Sequence, residues 1–318
     1  MGAPILIMAK SPDRLLPALS EVTGRELVFV EDLVETPAML EQHRPEIVLC
    51  FHDTDFDGPE FALAAQFPSV KWVHVSGSGY EQLGPLRDGL RVSNGQGLRA
   101  RNLAETALGA MITLNHGLLR YRAQQQARLW QVNPFRPLEG QRLLIVGAGA
   151  IGQWLAQFAQ TLGMHVTGFN RSGQAVEGFD EMAPISQLDD HLPGADVVSL
   201  HLRATAETEG LFDHRKFALM RPGALFMNTA RGAIVDEPAL INALTSGHLG
   251  GAYLDVFATE PLPQDSPFWA MENVLVTPHG ADCIAGWDHN AAAFFVKNLA
   301  LWDSGQPLIN TVHGQDGG

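Results

Sequence analysis

The sequence predicts an α/β protein of two lobes, each a parallel sheet covered by helices. Three observations carry this expectation. Short apolar runs alternate with longer amphipathic stretches along most of the chain, the pattern of strands joined by crossover helices. A glycine-spaced turn, LLIVGAGAIG, sits between one apolar run and one helical stretch. The length, 318 residues, exceeds what one hydrophobic core usually supports and suits two.

Taken in order, the candidate strands of the first third are ILIMA (5–9), ELVFV (26–30), EIVLCF (46–51) and VKWVHV (70–75), with short helical patterns between them. From Leu98 to about Gln126 few breakers occur, and one long helix is expected. From Arg142 the alternation restarts with RLLIVG, HVTGF, DVVSLHL, ALFMN, GAYLDV and NVLVT. This second set is richer in apolar and β-branched residues, as strands buried on both faces should be. Trp287 to Ser304 reads as a final helix. No short internal repeat or low-complexity tract interrupts the pattern.

Composition narrows the function classes. The apolar fraction is 46% and the charged fraction 18%, ordinary values for a globular enzyme. A formal net charge of -14 argues against nucleic acid or anionic membranes as partners. Cys50 and Cys283 lie far apart and outside any Cys-x-x-Cys pair, so free buried thiols are expected. No metal site is assigned. The N-terminal apolar run is too short for a signal peptide, and no stretch approaches the length of a membrane span. A cytoplasmic location is therefore expected.

Gly147, Gly149 and Gly152 stand in G-x-G-x-x-G spacing, with Ala150 and Ile151 opening the helix that follows. The spacing alone is a weak signal, but its strand-to-helix setting is what dinucleotide binding requires. The first glycine makes the tight turn and the second lets a pyrophosphate approach the backbone. The third lets helix and strand pack closely. The next strand ends at Asn170-Arg171-Ser172, about where an NAD enzyme carries the acid that binds the ribose 2′-hydroxyl. No carboxylate stands there. Arg171 can pair with a 2′-phosphate and Ser172 can donate a hydrogen bond to it, so NADP(H) is the expected cofactor and NAD(H) the lesser one. The bland alternative for Arg171 is a solvated surface charge.

Three later segments bring together an arginine, an acid and a histidine: MNTARGAIVDEPAL with Arg231, GAYLDVFATEPLP with Asp255 and Glu260, and NVLVTPHGAD with His279. Asp236 is placed to cap the helix after the first of these. A guanidinium can hold a carboxylate and polarise the adjacent carbonyl. An imidazolium can deliver a proton to that carbonyl as hydride arrives, while a glutamate fixes the imidazole tautomer. Singly, each could be a loop or surface residue; together the three can make a complete reduction site for a carbonyl beside a carboxylate.

These blocks resemble those of the D-isomer-specific 2-hydroxyacid dehydrogenase family, and NADP-dependent glyoxylate/hydroxypyruvate reductases within it. The similarity runs from the strand near residue 70 through the final helix. It implies two Rossmann-like doubly wound parallel-sheet domains with the active site in the cleft between them. Residues 1–98 with 287–318 would form a flavodoxin-like substrate domain, and 99–286 the dinucleotide-binding domain. NLAE, Asn102 to Glu105, resembles the start of the helix that links the lobes. By position, Arg231 matches the substrate-orienting arginine, Glu260 the partner of the histidine and His279 the acid/base. Asp255 matches the aspartate that contacts the nicotinamide carboxamide, with Thr229 and Ala230 beside the cofactor. SGSGYEQL resembles the substrate loop, in which N–H groups near Ser78 and Gly79 bind the carboxylate. Arg203 stands where the family usually has a proline, Tyr80 is bulkier than the usual residue, and Trp287 is larger than its counterpart. Tyr80 and Trp287 are thus expected to shape substrate choice.

Other residues compete with these for a place in the site. Among 12 histidines, His52 and His74 are candidates to line the pocket, and His201 is expected to be structural or near the adenosine. Trp130 and Phe135 suit packing or a dimer contact, and the resemblance implies a homodimer in which an aromatic reaches the partner's active site. The expected activity is NADPH-dependent reduction of a small 2-keto acid to the D-2-hydroxy acid. A dinucleotide-sensing binding protein of the same fold is the first alternative. An NAD-dependent dehydrogenase of the phosphoglycerate type is the second, disfavoured by the missing carboxylate near residue 171 and by the absence of a further C-terminal domain.

Overall fold

A computed structural model describes residues 2–51, 56 and 58–314. The chain divides into two compact units, Met1–Leu98 with Ile284–Gly318, and Arg99–Cys283. Among the described residues no helix is long and apolar enough to cross a membrane.

The first unit opens with β1 (Ile5–Met8), α1 (Leu16–Leu19), β2 (Leu27–Val30), α2 (Thr36–His43), β3 (Ile47–Cys50), α3 (Glu60–Gln66), β4 (Trp72–Val75) and β5 (Arg91–Asn94). These strands are parallel and lie in the order β5-β4-β3-β1-β2. Their side chains alternate between two apolar layers. Leu6, Met8, Val48, Cys50, Val73 and Val75 face Leu40 of α2 and Phe61 of α3. Ile5, Ile7, Ile47, Leu49 and Trp72 face the other way. Burial on both faces explains why β1 and β3 read as unbroken apolar runs.

The second unit carries α4 (Ala100–Asn115), α5 (Leu118–Gln126), β6 (Arg142–Val146), α6 (Ala150–Thr161), β7 (His165–Asn170), β8 (Glu181–Pro184) and α7 (Leu188–His191). It continues with β9 (Val197–Leu200), α8 (His214–Leu219), β10 (Leu225–Asn228), α9 (Glu237–Thr245), β11 (Gly251–Leu254) and β12 (Val274–Val276). Its sheet runs β12-β11-β10-β9-β6-β7-β8, every pair parallel. The chain builds outward from β6 through β7 and β8, then crosses to β9 on the other side. The strand order reverses at β6/β9, the place where open α/β sheets bind ligands. Ala104 and Met111 of α4 and Leu155 of α6 cover one face; Phe217 of α8 and Leu240 of α9 cover the other.

The chain then returns to the first unit with α10 (Trp287–Asp303) and β13 (Thr311–His313). Ala291, Phe295 and Leu299 of α10 pack on Ile5, Leu49 and Trp72, and β13 pairs antiparallel with β5.

Two expectations are corrected. The helix expected from Leu98 to Gln126 is two helices, α4 and α5, broken where Gly117 takes φ 65°. Glycine enters that left-handed region without a Cβ penalty. Strands β5, β8 and β13 were not anticipated. RVSN and EMAP are polar or carry proline, and short runs of that kind give little periodic signal. Between α5 and β6 the segment 127–141 has no helix or strand, and it exposes Leu129, Trp130, Val132 and Phe135. Trp130 is 98% exposed.

Candidate active site

The glycine turn follows β6 and opens α6. Gly147 has φ 113°, and a Cβ there would lie 2.6 Å from the His201 carbonyl carbon and oxygen at the end of β9. A Cβ at Gly152 would lie 2.4 Å from the Gly147 carbonyl oxygen and 2.9 Å from Ile145 Cγ2. These two glycines are required by the protein's own packing. Gly149 is different: a Cβ would meet nothing within 4 Å. The space above it is open, and α6 starts without a side-chain cap or an acidic residue in its first turn. Open space beside an uncapped helix N-terminus suits a pyrophosphate. Ala150 is exposed there, whereas Ile151 is half-buried and packs toward the core.

At the end of β7, Asn170 is committed to the turn. Its Oδ1 accepts the N–H groups of Ser172 and Gly173 at 3.1 and 2.6 Å, and its Nδ2 donates to the Gln174 carbonyl at 2.9 Å. Its side chain builds the loop that presents Arg171 and Ser172. Arg171 is exposed, and its Nη2 lies 3.5 Å from Glu207 Oε2 in the loop after β9. Arg203 opens that loop, its carbonyl accepting from Thr208 Oγ1 at 2.7 Å.

Arg231, Glu260 and His279 all lie in the second unit, in loops at the C-terminal ends of β10, β11 and β12. Asn228 ends β10 and shapes the first loop: its Oδ1 accepts the Ala230 N–H at 3.0 Å and its Nδ2 donates to the Arg231 carbonyl at 3.1 Å. Arg231 is left exposed, one end held by Nη1 donating to the Ala230 carbonyl at 2.7 Å. Asp236 caps α9 as expected, accepting from Ala239 N at 3.0 Å. Thr229 is buried, with Oγ1 3.1 Å from His201 Nδ1, and Ala230 is buried beside it.

His279 Nδ1 lies 2.7 Å from Glu260 Oε2, while Glu260 Oε1 accepts the Phe257 N–H at 2.9 Å. Burial pushes the Glu260 carboxyl up, but the Phe257 N–H, the His279 imidazole and the Arg231 charge together outweigh it. The group is held below the usual carboxylate range. His279 has φ 50°, a left-handed backbone for a residue with a side chain. Asp255 fixes that loop. Its Oδ1 accepts from Thr277 Oγ1 at 2.5 Å and from the N–H groups of Gly280 and Ala281 at 2.9 and 3.1 Å. Its own carbonyl takes the His279 N–H at 2.8 Å. Asp255 is 2% exposed, so in this structure its visible work is to position the histidine loop. Tyr253 donates to Thr277 Oγ1 at 3.0 Å, and burial raises the Tyr253 hydroxyl to about 12. From the far side, Thr106 of α4 donates to the Ala281 carbonyl at 2.9 Å.

The other expected residues lie in the first unit or serve structure. Ser78 is exposed, its carbonyl accepting from Asn94 Nδ2 at 2.6 Å, and Gly79 follows half-buried. Tyr80 packs partly onto the first unit's core. Trp287, at 9% exposure, belongs to the core around α10. For His74 the pocket-lining expectation is corrected: the ring is fully buried against Trp72, Phe294 and Phe295, with Nδ1 2.8 Å from Ser93 Oγ, and burial lowers it to about 3. His52 lies outside the described residues. His201 ties the ends of β9 and β10 together through Ser199 and Thr229, and burial lowers it to about 4. Cys50 is buried, but Cys283 is exposed, contrary to expectation.

Sequence reasoning missed Asn228, Thr277 and Glu207. An asparagine closing a strand before a turn was a usable signal for Asn228. Thr277 and Glu207 gain their roles from partners distant in sequence, so no local pattern marks them.

Comparison with known proteins places this geometry in a lineage. Residues 108–281 match the family model described as D-isomer specific 2-hydroxyacid dehydrogenase, NAD binding domain. The chain is similar to D-3-phosphoglycerate dehydrogenase of Mycobacterium tuberculosis, 31% identical over 98% of this chain and 59% of that protein. It thus spans about three fifths of the length of that relative. A D-isomer specific 2-hydroxyacid dehydrogenase family protein from Aeromonas salmonicida superposes with a TM-score of 0.84 at 32% identity, covering 98% of this chain and 99% of that one. The NADPH-dependent glyoxylate/hydroxypyruvate reductase of Sinorhizobium meliloti, solved with NADP and sulfate, superposes at 0.81 with 27% identity, covering 98% of each chain. With its glycine turn, its Arg231, Glu260 and His279 loops and these matches in hand, the chain belongs to the D-isomer specific 2-hydroxyacid dehydrogenase family, a family of NAD(P)-linked oxidoreductases.

Proposed function

We propose that the protein reduces a small 2-keto acid of the glyoxylate or hydroxypyruvate kind to the D-2-hydroxy acid, with NADPH preferred over NADH. The observation that carries this reading is the 2.7 Å pairing of His279 with a Glu260 that also feels the charge of Arg231. Arg231 grips the substrate carboxylate and polarises the neighbouring carbonyl. Glu260 accepts the hydrogen bond from Nδ1–H, which leaves Nε2 as the end of His279 that gives a proton to the carbonyl oxygen. NADPH, when bound, supplies the hydride. The preference for its 2′-phosphate rests on Arg171 and on a turn after β7 without a carboxylate, and the Sinorhizobium relative solved with NADP supports it. We also propose a homodimer, with the apolar segment around Trp130 covered by a second copy. Light scattering on the eluted protein, at the mass of two chains or of one, checks it.

The test is loss of reduced-nicotinamide absorbance with NADPH or NADH against glyoxylate, hydroxypyruvate, pyruvate and phenylpyruvate. NADPH-preferring turnover of the first two supports the proposal, and turnover only of larger keto acids moves the substrate class. The likeness to phosphoglycerate dehydrogenases favours a second reading, which 3-phosphohydroxypyruvate with NADH tests in the same assay. Tight NADPH binding without turnover of any substrate would favour a dinucleotide-binding protein instead.

A further inference from the structure

The Arg171–Glu207 pair has a placement that the reduction chemistry does not use. Strands β7 and β9 flank β6 on opposite sides. Arg171 stands in the turn after β7 and Glu207 in the loop after β9, so the two meet across the end of β6, beside the glycine turn. Both loops are internally braced. Asn170 ties the first through three hydrogen bonds. In the second, Thr208 Oγ1 accepts the Thr205 N–H at 2.8 Å and donates to the Arg203 carbonyl at 2.7 Å. The two side chains, 87% and 77% exposed, are therefore solvated groups on braced loops. An exposed ion pair of this kind is weak and readily exchanged for a stronger anion.

We propose that Glu207 is a specificity-determining residue for the dinucleotide. Its carboxylate occupies Arg171 in the free protein and must be displaced by a 2′-phosphate before that phosphate gains the guanidinium. Glu207 thus holds the preference for a 2′-phosphate below what Arg171 alone would give. This rests on Arg171 being the 2′-phosphate partner. A ribose with a free 2′-hydroxyl makes no demand on Arg171, so Glu207 leaves its binding unchanged.

Calorimetric titration with adenosine 2′,5′-bisphosphate and adenosine 5′-phosphate tests the idea without turnover. The proteins are the wild type, Glu207→Gln, Arg171→Ala and the double variant. Glu207→Gln should tighten the bisphosphate about two- to fivefold, the range an exposed pair allows, and leave the monophosphate unchanged. The gain should shrink at least twofold in the Arg171→Ala background. An absent gain, a gain shared by both nucleotides, or an equal gain in both backgrounds would overturn the role of Glu207. If Arg171→Ala leaves the ratio of the two affinities unchanged, the reading of Arg171 itself fails, and the Glu207 role falls with it. A ratio that collapses in Arg171→Ala while Glu207→Gln does nothing rejects only the inference about Glu207.

Discussion

His279 and Glu260 meet ring to carboxylate at 2.7 Å, and each is anchored by backbone hydrogen bonds independent of that contact. The Phe257 N–H holds the second carboxylate oxygen, and the Asp255 and Thr277 carbonyls hold the His279 N–H. The pair therefore meets with its orientation already fixed, the condition a proton donor needs.

Replacing His279 separates chemistry from fold. Asn also tolerates the left-handed backbone at φ 50°, so His279→Asn should fold normally. Its kcat should fall about 10²- to 10⁴-fold, the usual worth of a positioned acid/base. NADPH affinity, read by fluorescence titration, should stay within about twofold. A variant that keeps most of its turnover would remove His279 from the chemistry.

Glu260 should leave a mark on acid stability. Its folded carboxyl is depressed, so its contribution is present above the ordinary carboxylate range and is lost as pH falls through the lower folded value. The Tm gap between wild type and Glu260→Gln should be largest near neutrality and close on acidification below about pH 4. A gap independent of pH would show that the loss is one of packing.

The buried histidines act over a higher window. His201 and His74 are lowered by burial to about 4 and about 3 from 6.5. As pH falls below 6.5 the unfolded chain takes up their protons first. The stability tied to the neutral rings is complete above that value and declines toward pH 4. Thermal unfolding from pH 7.5 to 4.5 should show this decline, and His201→Asn should flatten part of it.

Two glycines of the turn should separate by role. Gly152→Ala drives a Cβ to 2.4 Å from the Gly147 carbonyl oxygen and should cost about 1–3 kcal/mol in urea unfolding. Gly149→Ala meets no protein atom within 4 Å. It should leave urea unfolding unchanged and weaken NADPH binding. Unchanged binding would mean that the cofactor does not approach residue 149.

Asp255 should behave as a positioning residue. Asp255→Ala strips the acceptor from Thr277, Gly280 and Ala281, and the buried Ala281 N–H left unpaired alone costs about 1–3 kcal/mol. Both urea stability and kcat should fall. Asp255→Asn keeps an acceptor oxygen and should recover most of the stability. Equal damage in the two variants would mean that the charge itself is needed.

The sequence by itself determined the layered α/β architecture, because strands buried on both faces leave long apolar runs, and it put forward Arg231, Glu260 and His279 by their chemistry, their order and their resemblance to the family's blocks. It also located the glycine turn, whose spacing is set by the local geometry of a strand passing into a helix. Only the tertiary structure decided which neighbours those residues serve. Trp287 and His74 looked available in sequence, yet helix packing buries both. Asn170 proved to be a turn builder, and Thr277 and Glu207 acquired roles through Asp255 and Arg171, partners 22 and 36 residues away in sequence. Periodicity reports which face of one element is buried; which side chains meet across different loops depends on strand order, and that is settled only when the sheet assembles.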